Sequence, residues 1–246
     1  MKFKKNTWVR KDRDIGKVTG HKKKSCLVRW VGSSKAKLCA SRGLRPCDPP
    51  RALVLEGSLD HELHSIRSEE DLLRTWLRAN GTELAYKNVH SLQDIKILAE
   101  SIGKNKPLFV HISCHGRHDE KEQAYLRFAP KSNKEYDIRL NDPETVEVFR
   151  DSFFGLPVLF SACNLGRYQK EIENFAQSTG IPYVAVFTRE VYDAEAMIFE
   201  LLLYHGVYNN LWTFETAVNK AIDSLLLINV RGGKGKGKSL VKIFRS

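Results

Sequence analysis

The sequence predicts an α/β protein in which helices cover both faces of a mainly parallel sheet, with a small antiparallel β-barrel in front. From Arg51 onward, apolar runs of strand length alternate with segments of helical periodicity, which is typical of parallel sheets. In residues 6–47, apolar and polar residues alternate with period two, and glycines interrupt the pattern. The two patterns indicate two modules.

The first module is short and rich in β-strand signals. Its segments WVRKDRDIGKVTG, CLVRWVGSSK and GLRP resemble an SH3-like or Tudor-like barrel. We assign residues 1–48 to this barrel and residues 51–246 to the α/β domain. The segment CDPPR between them is a stiff linker, because Pro49 and Pro50 cannot join a β-ladder.

The second module contains six predicted core strands and six predicted helices. The strands are RALVLEG, TELAYKNV, PLFVHIS, LPVLFSA, PYVAVFT and SLVKIF, and AYLRFAP is a further short surface strand. The helices are SEEDLLRTWLRAN, SLQDIKILAESIG, DPETVEVFRDSF, YQKEIENFAQSTG, DAEAMIFELLLYHG and TFETAVNKAIDSLLL. Ser68 and Asp71 resemble a capping box that opens the first helix.

Charge is distributed unevenly between the modules. The chain carries a net charge of +11, but residues 1–50 hold ten lysines and five arginines against three aspartates, so this segment alone carries +12. Such asymmetry indicates different partners for the two modules. The basic module could bind nucleic acid through phosphates, or it could dock a partner protein. Trp8 and Trp30 could stack on bases or fill the barrel core, and for Trp30 the core is favoured.

Composition also argues against several classes of protein. No apolar run reaches the about 18 residues of a membrane span, and the N-terminus lacks the apolar centre of a signal peptide, so we expect a cytosolic protein without membrane contact. The five cysteines are then unlinked thiols. His21, Cys26, Cys39 and Cys47 lack the paired spacing of a zinc site. We therefore predict no metal and no cofactor.

The most informative residues follow two core strands. The stretch LFVHISCHG ends in His115 and Gly116, and PVLFSACNLG contains Cys163, 48 residues after the histidine. Ligands gather at the carboxyl ends of parallel strands, so neighbouring strands would bring these side chains to one cleft. A histidine can activate a thiol, and a glycine lets its backbone N–H approach an oxyanion. A helix after Cys163 would direct its N-terminus towards the thiolate.

The residues around these strand ends resemble a known family. The segments VHISCHG, FSACNLG, VAVFTREVYDAEAMIFELLLYHGVYN and TFETAVNKAI are similar to the CHAT domain, a branch of the caspase-like cysteine peptidases, over roughly residues 51–246. The resemblance implies a caspase-like three-layer sandwich with a mainly parallel six-stranded sheet. It also implies that Cys163 is the nucleophile, that His115 is the general base, and that the N–H groups of Gly116 and Cys163 form the oxyanion hole. The spacing of 48 agrees with the interval of about 50 in caspases.

Alternatives to these assignments stay open. Cys163 could be a buried inert thiol. Cys114 points to the opposite side of the strand from His115 and is expected in the core. His111 is expected to be an interior, hydrogen-bonded histidine. His118, in the predicted loop RHDEKEQ, is the alternative base.

The resemblance further implies cleavage after a basic residue, which an acidic group in the substrate pocket would recognise. Asp193 matches the family's aspartate in the turn after the fifth strand, although it could instead cap the helix that begins there. Glu190 and Glu56 are the next candidates. The segment GGKGKGK at 232–238 is either a mobile connection or a self-cleavage segment.

Two functional hypotheses result. The first is a cytosolic cysteine endopeptidase with a His115–Cys163 dyad. Its resemblance implies a role in prokaryotic defence or cell death, an activating partner, and a protein substrate such as a gasdermin-like pore former. The second is a scaffolding or nucleic-acid-binding protein that acts through residues 1–48 and cuts nothing.

Overall fold

The computed structural model describes residues 3–57, 64–102, 106–118, 123–129, 136–227 and 239–246. The segment 232–238, for which the sequence predicts a mobile connection or a self-cleavage site, lies outside these residues.

The N-terminal module is a five-stranded antiparallel sheet. Its strands are β1 (Trp8–Lys11), β2 (Asp14–Lys22), β3 (Ser25–Trp30), β4 (Lys37–Ala40) and β5 (Arg45–Pro46), in the order β4-β3-β2-β1-β5. The sheet is open, with β4 and β5 at its edges. This differs from the closed barrel that the sequence predicted. β5 is too short to close it, and Pro46 has no N–H to donate to a ladder.

A small core holds this module together. Val9, Val18 and Val28 are fully buried on one face of the sheet, and Phe3 and Leu44 pack against them. Trp8 is also buried, at 5% exposure, so its ring is not available to stack on a base.

The second module is built on a six-stranded sheet. Its strands are β6 (Ala52–Glu56), β7 (Leu84–Asn88), β8 (Val110–Ser113), β12 (Val158–Ser161), β13 (Tyr183–Phe187) and β14 (Val241–Arg245), in the order β14-β13-β12-β8-β6-β7. All neighbours are parallel except β13 and β14. This confirms the predicted six core strands and the mainly parallel pairing.

Six helices pack on this sheet. They are α1 (His64–Ala79), α2 (Leu92–Ser101), α3 (Pro143–Phe153), α4 (Gln169–Thr179), α5 (Asp193–Tyr204) and α6 (Phe214–Leu227). Two apolar clusters, one for each face of the sheet, enclose it: α2, α3 and α4 contribute to one, and α1, α5 and α6 to the other. Strand residues alternate between the clusters, with Leu53 and Leu55 in the first and Ala52 and Val54 in the second. The layering is therefore helix, sheet, helix.

The start of α1 differs from the sequence prediction. The helix begins at His64, so Ser68 and Asp71 lie inside it and not at its N-terminus. The capping pattern was misleading because a Ser-x-x-acid spacing also occurs within helices.

A third sheet extends from the end of β8. After Cys114, the chain continues directly into β9 (His115–His118), which pairs with β10 (Ala124–Phe128), and β10 pairs with β11 (Tyr136–Arg139). His118 therefore lies in a strand and not in the predicted loop. The sequence of β9, HGRH, has no apolar alternation, and β9 is a strand because it pairs with β10.

Within the described ranges, no helix combines the length and the apolar character that crossing a bilayer requires.

Candidate functional site

The predicted site residues converge where β8 and β12 end. The two strands are parallel neighbours, and Ser113 pairs with Ser161 at their carboxyl ends. A cleft of about 290 Å³ opens at this edge. Its walls include all four residues that the sequence singled out, His115, Gly116, Cys163 and Asp193. The sequence predicted that His115 and Cys163 share a cleft if their strands are neighbours, and β8 and β12 are neighbours.

Gly116 lies in very close contact with the backbone of Cys163. A Cβ atom at position 116 would be 2.0 Å from the carbonyl oxygen of Cys163 and 2.7 Å from its amide nitrogen. No side chain fits in that space, so glycine is required for β9 to pass this close to the cysteine.

The thiol of Cys163 is half-buried beside the loop after β13. The N–H of Val191 donates to Sγ at 3.5 Å, and Sγ lies 3.9 Å from the Val191 carbonyl oxygen. Burial raises the pKa of this thiol, and the nearby carboxylates of Glu190 and Asp193 raise it further. The hydrogen bond from Val191 and the positive charge of Arg189 lower the pKa and partly offset the effect of burial. The resting group is therefore the neutral thiol, and a nucleophilic reaction at neutral pH needs a base to remove its proton.

The backbone turns sharply after Cys163. Asn164 has a φ of +65°, in the left-handed region, and a short 3₁₀ turn over Leu165–Arg167 follows. α4 begins at Gln169, within the predicted helical segment YQKEIENFAQSTG, and the 3₁₀ turn separates it from Cys163. The donor that reaches Sγ is the Val191 N–H, not the first turn of a helix.

One wall of the cleft is acidic. Glu69, Glu190 and Asp193 all line it. Asp193 is exposed and is the first residue of α5, whereas the N-cap is Tyr192. The carboxylate of Glu195 accepts the N–H of Tyr192 at 3.4 Å. Asp193 therefore does not hold the N-cap position, which was the alternative that the sequence left open.

Glu56, the other reserve candidate, lies deeper. It is fully buried at the end of β6, and its carboxylate accepts the hydroxyl of Tyr86 at 2.7 Å. It does not belong to the cleft wall.

Sequence reasoning missed a polar cluster beneath the cleft. Glu69 of α1, His111 of β8 and Glu200 of α5 place one ligand-type atom each within 4.8 Å of the others. Burial, followed by the carboxylates of Glu200, Glu56 and Asp193, raises the pKa of Glu69 well above its usual value. The signal that could have found Glu200 is a lone acid inside the apolar run IFELLLY.

The sequence offered His111, Cys114 and His118 as residues that could compete with His115 and Cys163 for the catalytic roles. His111 is fully buried with Nδ1 3.3 Å from the hydroxyl of Tyr204, as expected for an interior histidine. Cys114 is buried, and burial raises the pKa of its thiol well above the usual value. The side chain of His118 lies outside the described residues, so this alternative base stays untested.

A second, basic groove lies on the N-terminal module. It has a volume of about 820 Å³, and its walls include His21, Lys23, Lys24 and Arg42. The hydroxyl of Ser41 at this edge donates to the carbonyl oxygen of Lys24 at 3.0 Å.

The fold is similar to that of a solved protease. In the X-ray structure of a secreted C11 cysteine protease from Bacteroides thetaiotaomicron, in complex with an irreversible peptide inhibitor, the match covers 80% of this chain with a TM-score of 0.54 and 9% sequence identity. The chain has a caspase-like fold. It spans 66% of the length of that protease. Comparisons with protein-family models and with curated protein sequences found no match, so membership of the CHAT family stays a prediction.

Proposed function

We propose that the protein is a cysteine endopeptidase in which Cys163 is the nucleophile and His115 is the general base. The observation that carries this proposal is the convergence of His115, Gly116 and Cys163 on one cleft at the carboxyl edge of two neighbouring parallel strands. The caspase-like fold agrees with it, since ligands of open parallel sheets bind at that edge.

The chemistry follows from the state of the thiol. Because its pKa is raised, Cys163 rests as the neutral thiol, and His115 takes the proton as sulfur attacks the peptide carbonyl carbon. The carbonyl oxygen becomes an oxyanion, which the N–H groups of Gly116 and Cys163 stabilise. Collapse of this intermediate breaks the C–N bond, and the protonated His115 gives its proton to the leaving amine. Water, deprotonated by His115, then hydrolyses the thioester and restores the thiol.

The substrate preference is for a basic side chain before the scissile bond. Asp193 and Glu190 line the cleft as exposed carboxylates on the side of Val191. A lysine or arginine side chain in the cleft would interact favourably with both charges. Asp193 is the principal recognition residue, and Glu190 supports it.

The dyad is tested by substitution. Cys163→Ala and His115→Ala should each abolish cleavage of fluorogenic peptides that contain arginine or lysine, with circular dichroism unchanged. Cys47→Ala removes a half-buried thiol from the other module and is the matched control, which should retain full activity. Cleavage that persists in Cys163→Ala would contradict the proposal.

Specificity is tested separately. Asp193→Asn should lower kcat/KM for an arginine peptide by about 10- to 100-fold, which corresponds to about 1.4–2.8 kcal/mol, and should change little for a norleucine peptide. Asp223→Asn, on α6 and outside the cleft wall, is the control. Equal losses on both peptides would assign Asp193 a structural role.

The biological setting comes from the CHAT resemblance. The resemblance implies that the protein acts in prokaryotic defence or cell death, that a partner protein activates it, and that its substrate is a protein such as a gasdermin-like pore former. The test is to incubate the protein with the products of its neighbouring genes and to map new N-termini by mass spectrometry, with Cys163→Ala as the blank. The cytosolic location stays a prediction, and the C11 protease of similar fold is secreted.

Nucleic-acid binding by the N-terminal module is a second candidate function, supported by the basic groove. Lys23, Lys24 and Arg42 line that groove in a segment that carries +12. With Trp8 buried, the contact would be to phosphates. A gel shift at two salt concentrations tests it: replacing all three residues with alanine should reduce the slope of log K against log[salt] by about 2–3. Absence of a shift at low salt would remove this candidate.

A further inference from the structure

Three side chains from three different elements meet beneath the cleft. They are Glu69 from α1, His111 from β8 and Glu200 from α5, and their ligand-type atoms all lie within 4.8 Å of one another. His111 and Glu200 are fully buried. Glu69 reaches the same point from the cleft wall. Since the three residues are distant in the chain, their meeting is a product of the tertiary fold.

Each of the three carries a buried polar atom without a hydrogen-bond partner in the described part of the chain. These atoms are Nε2 of His111, Oε1 of Glu69 and Oε2 of Glu200. A buried acceptor that loses water without gaining a partner is destabilising by about 1–3 kcal/mol, and more if it is charged. Two acidic side chains and one imidazole therefore bring polar atoms without a hydrogen bond to one point, where Nε2 of His111 also faces Glu200 in an ion-pair contact.

The atoms around the cluster hold it in an orientation suited to a metal. Nδ1 of His111 lies 3.3 Å from the hydroxyl of Tyr204, and where this Nδ1–H donates to that oxygen, the Nε2 lone pair faces Glu200. The hydroxyl of Ser161 donates to Oε1 of Glu200 at 2.5 Å. Metal-binding imidazoles and carboxylates are commonly fixed by such second hydrogen bonds.

The distances also suit a small divalent ion. Nε2 of His111 and Oε1 of Glu200 are 3.4 Å apart. Zinc bonds to nitrogen and oxygen of about 2.0–2.2 Å give tetrahedral edges of about 3.4 Å. With 4.8 Å as the outer limit for the whole set, an edge of about 3.4 Å requires Glu69 to approach by about 1.4 Å at most.

We propose that Glu69, His111 and Glu200 form a binding site for one divalent first-row metal ion, with zinc as the best match. One imidazole and two carboxylates favour zinc over calcium or magnesium, which prefer oxygen ligands alone. A bound ion would link α1 to β8 and α5 beneath the cleft. The sequence predicts no metal because its N-terminal cysteines and His21 lack paired ligand spacing, whereas Glu69, His111 and Glu200 are brought together only by the fold.

The test measures zinc binding directly in the Cys163→Ser variant, because a free thiol in the cleft could also bind zinc. The protein is stripped with EDTA, dialysed against zinc and analysed by elemental analysis, and the affinity is measured by competition with a chromophoric chelator. One equivalent should bind and should raise Tm. Cobalt substitution should give d–d absorption without the sulfur-to-metal charge-transfer band of a thiolate site.

Two substitutions locate the ion. Glu69→Gln and Glu200→Gln should each weaken zinc binding by about 10- to 100-fold or more. Glu70→Gln changes the next residue of the same helix, which pairs with Arg74 on the surface, and should leave the affinity unchanged. Should Glu200→Gln fail to fold, Glu69→Gln at the cleft wall still decides the question.

One further variant tests whether zinc binds instead at a histidine and a cysteine of the N-terminal module. His21 Nδ1 is 3.7 Å from Cys26 Sγ in the N-terminal module, and His21→Gln should not affect zinc binding. The proposal is overturned if no stoichiometric zinc binds. It is also overturned if the affinity for zinc is unchanged in Glu69→Gln, and loss of binding in His21→Gln would place the ion in the N-terminal module instead.

Discussion

Substitution of Gly116 by alanine tests whether the close contact between β9 and Cys163 builds the cleft. The new Cβ would be 2.0 Å from the Cys163 carbonyl oxygen, whereas favourable contacts of carbon lie at about 3.5 Å. The contacting atoms belong to the backbone, so no side-chain rotation can relieve the clash. β9 and the Cys163 turn must therefore separate by about 1–1.5 Å.

The cost of this separation can be estimated for both stability and activity. Overpacking typically costs about 1–3 kcal/mol, and a backbone clash belongs at the upper end. In a chain of 246 residues each kcal/mol lowers Tm by about 2–4 °C, so Gly116→Ala should lower Tm by about 6–12 °C. A displacement of about 1 Å between catalytic groups costs roughly 100-fold in rate. We therefore expect kcat/KM to fall by at least that factor.

The assay combines thermal unfolding with peptide cleavage at a temperature where the variant is folded. Gly43→Ala is the matched control, because a Cβ at Gly43 would meet nothing within 4 Å. It should change stability by no more than about 1 kcal/mol and leave activity intact. If Gly116→Ala has the Tm and the kcat/KM of the unsubstituted protein, the close contact does not exist in solution and the cleft geometry is wrong.

Three further predictions concern the electrostatics of the cleft and of the core. Because burial raises the pKa of Cys163, its alkylation by iodoacetamide should be slower than that of free cysteine at neutral pH and should rise with a midpoint above the ordinary thiol range, as followed by mass spectrometry. Arg189→Ala should move this midpoint further up and Glu190→Gln should move it down, because they remove charges of opposite sign; shifts in the same direction would refute the assignment. Tyr86→Phe removes the hydroxyl that donates to buried Glu56 and should destabilise the protein by about 1–3 kcal/mol in thermal or urea unfolding, whereas an unchanged Tm would mean that water replaces the donor.

The sheet and the residues at its edge could be predicted from local patterns. Apolar runs such as PLFVHIS and LPVLFSA identify buried strands without knowledge of the fold, and the polar residues that follow them lie at the strand ends. That β8 and β12 are neighbours could only be stated as a condition, because strand order depends on long-range packing. The six-stranded order β14-β13-β12-β8-β6-β7 meets that condition.

Other features lay beyond the sequence because they depend on pairing or on distant contacts. β9 contains HGRH, which has no strand signal, and becomes a strand through its partner β10. Glu69 is an ordinary helical glutamate in the sequence, Glu200 differs from one only by its apolar neighbours, and the packing of α1 and α5 against β8 brings both to His111. The N-terminal sheet is open where a closed barrel was predicted, because period-two patterns specify strands but not closure.

The charges around Cys163 connect nucleophile strength to the proposed substrate preference. Burial raises the pKa of the thiol and keeps the free protein in its less reactive form, and the carboxylates of Glu190 and Asp193 add to this shift. A lysine or arginine side chain bound between these carboxylates would offset their charge, and the thiolate would then be easier to form. A neutral or acidic side chain would provide no such compensation. Discrimination between substrates would thus act on the chemical step as well as on binding, which is how a small cleft can favour basic residues beyond the strength of one ion pair.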